Sequence, residues 1–148
     1  MLIQTLQKLF SRDLEKLKQE IGLYKDENKI WVIEEGIANS AGNLCLHLIG
    51  NLNTYIGVEL GKTNYVRNRE LEFSLKDIPR QELIRKIDDT IIVVKAALNS
   101  LKEEELENEY QLLVFAEKTS TGYFLVHLAV HLGYHLGQIN YHRRLIDK

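Results

Sequence analysis

The sequence predicts an all-α protein, a four-helix bundle with long connections between helices, and three observations predict it. Apolar residues recur at three- and four-residue intervals in four separate stretches. Glycines, the single proline and short polar side chains stand where those stretches begin and end. No stretch alternates apolar and polar residues long enough to read as a strand of a sheet. With 148 residues, 45% of them hydrophobic and 27% charged, residues 1–148 have the size and balance of one domain. A chain of this length buries roughly two-thirds of its unfolded surface, enough for stability without disulfides. The one cysteine, Cys45, has no partner within the chain.

Leu2, Leu6, Leu9, Phe10, Leu14, Leu17 and Ile21 form the buried stripe of the first helix, and Gly22 marks its stop. Tyr24 to Ile33 is polar, then briefly apolar, and reads as a long connection. Asn39 or Ser40 can cap the second helix, whose body runs from Leu44 to about Leu60 and ends at Gly61. Thr63 to Asp77 is charged without a sustained period and reads as a loop. Pro79 suits the first turn of a third helix capped by Asp77, because its missing N–H would have no partner there. Leu83, Ile84, Ile87, Ile91, Val94, Leu98 and Leu101 are that helix's stripe. The acidic run Lys102 to Tyr110 reads as a solvated linker or frayed extension, and Gln111 to Ala116 as a short extended piece. Thr119, Ser120 or Thr121 can cap the last helix, from about Gly122 to Ile146.

Several function classes fall away on composition. A net charge of −2 and a pI near 6.2 are not the footprint of a nucleic-acid binder. No apolar run approaches the roughly 18 residues needed to cross a bilayer. The first ten residues lack the continuous apolar segment and small-residue cleavage site of a signal peptide. These readings together place the chain in the cytoplasm, with Cys45 a reduced, buried thiol.

The chemistry lies in the histidines. His127, His131 and His135 recur every four residues on the last helix, and residues four apart stack on one face about 5–6 Å apart at Cβ. Two such imidazoles can converge on one ion. The second helix is apolar except for one strip, on which Asn43, His47, Asn51 and Thr54 lie within about 80° of one another. A bundle builds ligand sites from side chains on facing helices, so His47 is the natural third ligand to His131 and His135. Three neutral imidazoles leave coordination positions open, as catalytic sites do, and suit Zn, Ni or Fe. Asn51, His127, Tyr134, Gln138 and His142 are candidates for orienting a ligand or touching a substrate.

Three readings stand side by side. The first is a metal-dependent enzyme, a thiol S-transferase or a hydrolase, in which the ion lowers the pKa of a thiol or a water. The second is a non-catalytic metal- or ligand-binding bundle of the stress-response kind. The third is a metal-free core in which the histidines pair with one another, since each unsatisfied buried imidazole would cost about 1–3 kcal/mol.

The helical run Leu46-His47-Leu48-Ile49-Gly50-Asn51, followed by His131-Leu-Gly-Tyr-His135-Leu-Gly137-Gln138-Ile139, resembles the DinB-like superfamily of metal-binding four-helix bundles. The resemblance covers almost the whole chain in helix order. It implies a divalent metal held by His47, His131 and His135, and by extension a low-molecular-weight thiol or other small molecule as partner. Leu136 stands where a basic residue often precedes the Gly-Gln pair, so the chain is more similar to an uncharacterised branch than to the bacillithiol and mycothiol transferases. Ala129, Gly133 and Gly137 form a strip of small side chains where another helix can approach, within the chain or across a homodimer.

Overall fold

In the computed structural model, which describes residues 1–148, every regular element is helical. The α-helices are α1 (Leu2–Leu23), α2 (Ala41–Leu52), α3 (Arg69–Ser74), α4 (Arg80–Ser100) and α5 (Thr121–Ile146). Short 3₁₀ turns cover Glu27–Trp31 and Glu103–Glu107, and a π-helical turn, Asn53–Val58, extends α2. The four long helices are the four the sequence predicts.

Their packing explains the long connections. The main contacts of α1 are with α4 and α5, and α2 also packs on α4 and α5, so α1 and α2 lie diagonally across the bundle. The same holds for α4 and α5. A chain that crosses a diagonal needs a long link, and the two diagonal steps are the segments 24–40 and 101–120.

All twelve residues of α2 are buried. A helix apolar on nearly every side has to be covered on every side, and a square of four helices leaves one flank of α2 open. That flank is closed by α3 and by the 3₁₀ turn Glu27–Trp31, both packed on α2. The reading of Thr63 to Asp77 as a loop is therefore corrected by α3, and the first connection, long as expected, contains a 3₁₀ turn. Each helical piece is one or two turns long, too short to show a period, yet each inserts side chains into the interior: Ile30, Trp31 and Glu72. Trp31 explains Gly42, where an added Cβ would lie 2.6 Å from the indole ring.

Polar groups fasten these covers. The Asn43 amide donates to the carbonyls of Glu72 and Leu75 at 2.9 and 2.8 Å, and its oxygen accepts from Ser40 Oγ at 2.7 Å. One side chain of α2 thus ties down the end of α3, while Ser40 caps α2 through the Asn43 N–H.

Other local expectations need correction. Pro79 precedes α4 instead of sitting in its first turn, and Asp77 takes a left-handed φ of 58° instead of capping. The Arg80 N–H is met by the Glu27 carboxylate, a cap from a distant segment. The acidic run forms the 3₁₀ turn Glu103–Glu107, with Leu106 in the core and Glu103 accepting from the Leu2 and Ile3 N–H groups at the start of α1. Gln111 to Ala116 is no strand, because its neighbourhood offers one isolated bridge, Glu109 to Ser120, and no sheet edge. Within the chain Gly133 and Gly137 do not mark a close helix approach, since a Cβ at Gly133 would meet only Asp13 Oδ2 at 3.8 Å and one at Gly137 nothing within 4 Å. Cys45 is fully enclosed, and burial pushes its thiol up to about 12, which leaves it unreactive. No helix is long and apolar enough to cross a membrane.

Replacing Gly42 by Ala should destabilise the fold by about 1–3 kcal/mol, because the rigid Trp31 ring has to move. Gly22→Ala, with open space at its Cβ, should be neutral or slightly stabilising. Thermal unfolding followed by circular dichroism separates the two.

Candidate metal centre

His47 projects from the middle of α2, and His131 and His135 project from successive turns of α5. The packing of α2 on α5 brings the three rings together, although 84 residues separate His47 from His131. His131 Nε2 lies 3.3 Å from His47 Nε2 and 3.1 Å from His135 Nε2. The candidate ligand atoms of the three residues all lie within 4.8 Å of one another.

The opposite ring edges decide which nitrogens are free. His47 Nδ1 faces Glu72 Oε1 at 3.1 Å. A carboxylate only accepts, so Nδ1 carries the proton and Nε2 presents a lone pair. His135 Nδ1 lies 2.7 Å from Gln138 Oε1, and a donor there leaves the His135 Nε2 lone pair pointing the same way. Both partners are of the kind that fixes a ligating imidazole.

His131 has no such partner. Its Nδ1 is buried without a hydrogen bond, and burial, followed by the nearby His135 and His47, holds its pKa down to about 4. It is therefore neutral at pH 7. A single proton on the His131 ring can sit on Nδ1, where nothing receives it, or on Nε2, where it serves one neighbour and leaves the other facing a nitrogen. Protein groups alone leave this cluster short by one partner.

A divalent cation would meet that deficit. Three nitrogens bound tetrahedrally at about 2.0–2.1 Å stand about 3.3 Å apart, and cis-octahedral ones about 3 Å apart. Two of the three separations, 3.1 and 3.3 Å, fall on those values, and all three ligand atoms lie within 4.8 Å of one another, so the donor set fits such an ion.

Glu72 and Arg67 belong to the centre and escaped sequence reading. The Glu72 carboxylate accepts from Arg67 Nε at 2.8 Å and Nη2 at 3.0 Å. Burial pushes its pKa upward, but the hydrogen bonds from His47 and Arg67 outweigh that and hold it below the usual carboxylate range. Glu72 is thus ionised, neutralised by Arg67 and aimed at His47. Gly50 makes room for it, since a Cβ there would lie 1.9 Å from Glu72 Oε2. That glycine, one turn beyond His47, was the available signal. Asn68, which caps α3 by accepting from the Leu71 N–H, was another.

The remaining candidates sort by contact. His127 packs edge-on against Phe115 at 4.7 Å between centroids and lies 6.2 Å from the His131 ring, outside the nitrogen cluster. Tyr134 is exposed, its ring 5.3 Å from that of His135. Asn51 is buried with Oδ1 unpartnered. His142 touches neither of the two α5 histidines nor His47: its Nε2 donates to the Val32 carbonyl at 2.8 Å and its Nδ1 accepts from the Tyr24 hydroxyl at 2.6 Å. It joins α5 to the first connection, and Tyr24, whose pKa burial raises far above the ordinary value, stays a proton donor.

Gly50→Val should push Glu72 off His47, and Glu72→Gln should remove its charge. Each variant is expected to lose about 10–100-fold in affinity for Zn²⁺, measured by competition with a chromophoric chelator.

The sequence model of a family described as "Protein of unknown function (DUF1572)" matches residues 2–148. No curated protein matches the chain.

Proposed function

With the chain a member of this DUF1572 family, we propose that it is a metal-dependent enzyme of the DinB-like kind, a thiol S-transferase or a hydrolase. The observation that carries the reading is the convergence of three Nε2 atoms in which two of the opposite nitrogens are already engaged by Glu72 and Gln138. A divalent ion bound there would supply Lewis acidity, lowering the pKa of a thiol or a water so that an anion exists at neutral pH. His47, His131 and His135 would hold it. Glu72, clamped by Arg67, orients His47 by accepting from its Nδ1, and Gln138 orients His135.

Two features favour catalysis over a purely structural ion. A structural site usually closes with four protein ligands, whereas this one has three histidines and no carboxylate or thiolate within the cluster. His135 also lines a surface cleft of about 600 Å³, within the range of small-molecule sites. The non-catalytic alternative predicts a different balance, in which loss of the ion costs stability and nothing else.

Protein purified without an affinity tag is expected to carry close to one equivalent of divalent metal by elemental analysis, and His131→Ala to carry almost none. Less than about a tenth of an equivalent after incubation with Zn²⁺, Ni²⁺ and Fe²⁺ would exclude metal-dependent chemistry. Loaded protein should consume an electrophile in a thiol-dependent manner or hydrolyse an activated ester or amide. A His131→Ala variant that only loses melting temperature, with loaded wild type inert across such a panel, would establish the structural alternative.

A further inference from the structure

The 600 Å³ cleft beside His135 has a chemical character of its own. Its walls come from two places: the turn Glu34-Glu35-Gly36-Ile37-Ala38-Asn39 in the first connection, and the outward face of α5 from Tyr134 to Ile146, with Leu44 of α2 between. Half of the lining residues are hydrophobic, and two tyrosines, Tyr134 and Tyr141, stand on α5. His142 adds no free polar group, because both its nitrogens are already bonded to Tyr24 and Val32.

The charge is one-sided. Glu34 and Glu35 are exposed and have no ion-pair partner, and the lining includes no lysine or arginine. Of the nearby cations, Arg143 pairs with Glu20 at 2.7 Å, and Arg144, outside the lining, lies over the Tyr141 ring at 5.2 Å and covers one of its faces. A concave, partly aromatic lining with two unpaired carboxylates favours a cation over an anion, and the exposed Tyr134 ring, which carries no cation of the protein's own, adds to that preference.

We infer that this cleft binds a small molecule with an apolar or aromatic body and a protonated amine, the amine set against Glu34 and Glu35 and the body against Tyr134 and Tyr141. As a substrate assignment it rests on the metal reading, since His135 is the one residue shared by the cleft and the three-nitrogen cluster. It disfavours polyanionic thiols and phosphorylated compounds as substrates.

The test uses 2-phenylethylamine and 3-phenylpropionate, probes of one shape and opposite charge, titrated into metal-free protein so that carboxylate coordination to an ion plays no part. Binding is read from backbone and tyrosine NMR shifts, and the metal-binding capacity of the same preparation is measured separately. The amine should saturate shifts at Ile37, Tyr134 and Tyr141 and bind about ten-fold more tightly than the propionate. Glu34→Gln combined with Glu35→Gln should erase that preference while metal capacity stays unchanged. Equal or tighter binding of the propionate, shifts confined to other surfaces, or no saturable binding of either probe would overturn the inference. A chain that prefers the amine but takes up no metal would keep the cleft assignment and remove the enzymatic one, so the two fail separately.

Discussion

Everything at the centre of this protein depends on one buried carboxylate, that of Glu72. An ionised carboxylate in an interior is costly unless it is paired and hydrogen-bonded, and Glu72 is met by the Arg67 guanidinium and by His47 Nδ1. The pairing sets the His47 tautomer, and with it the direction of the His47 lone pair. It also requires α3 to lie flat on α2, which Gly50 permits and Asn43 secures. The cover of the core and the orientation of the site are therefore one arrangement, and a change in either reaches the other.

The diagonal placement of α1 and α2 has a similar double effect. It forces a long first connection, and that connection does not run idly across the end of the bundle. Its 3₁₀ turn buries Ile30 and Trp31 against α2, its Asp26 and Lys25 N–H groups are held by Asp147 beyond α5, and Val32 accepts from His142. The turn carrying Glu34 and Glu35 is thereby held at its start, with Ser40 capping α2 at its end, and forms one wall of the cleft beside His135. A link demanded by topology thus ends up shaping the surface next to the site.

The long helices were legible because each buries a stripe, and a stripe repeats along the chain. His47, His131 and His135 were legible for a related reason: polar residues interrupting an apolar surface at helical spacing stand out against it. Arg67 and Glu72 were not, because they sit in a charged segment whose only regular piece, α3, is six residues long. Within such a segment a buried glutamate looks the same as a solvated one, and the feature that distinguishes it, a glycine on the facing helix, lies 22 positions earlier. The Glu27 cap on α4 shows the same limit: the N–H of Arg80 is satisfied from across the fold, and local sequence offered Asp77 instead.

His142 and His131 form an internal comparison for the metal argument. Both lie on α5 and neither has a carboxylate within hydrogen-bonding distance, so helix position alone does not separate them. His142 is satisfied at both nitrogens: the Val32 carbonyl can only accept, which puts a proton on Nε2, and Nδ1 accepts from the Tyr24 hydroxyl. His131 has one nitrogen with nothing and the other facing two lone pairs. The fold evidently can complete a buried imidazole with ordinary hydrogen bonds, and at His142 it does. At His131 it instead gathers two further acceptors around the open position and orients each from behind. One proton on His131 cannot serve both neighbours at once, and a cation at the focus of the three nitrogens would turn that unmet contact into coordination.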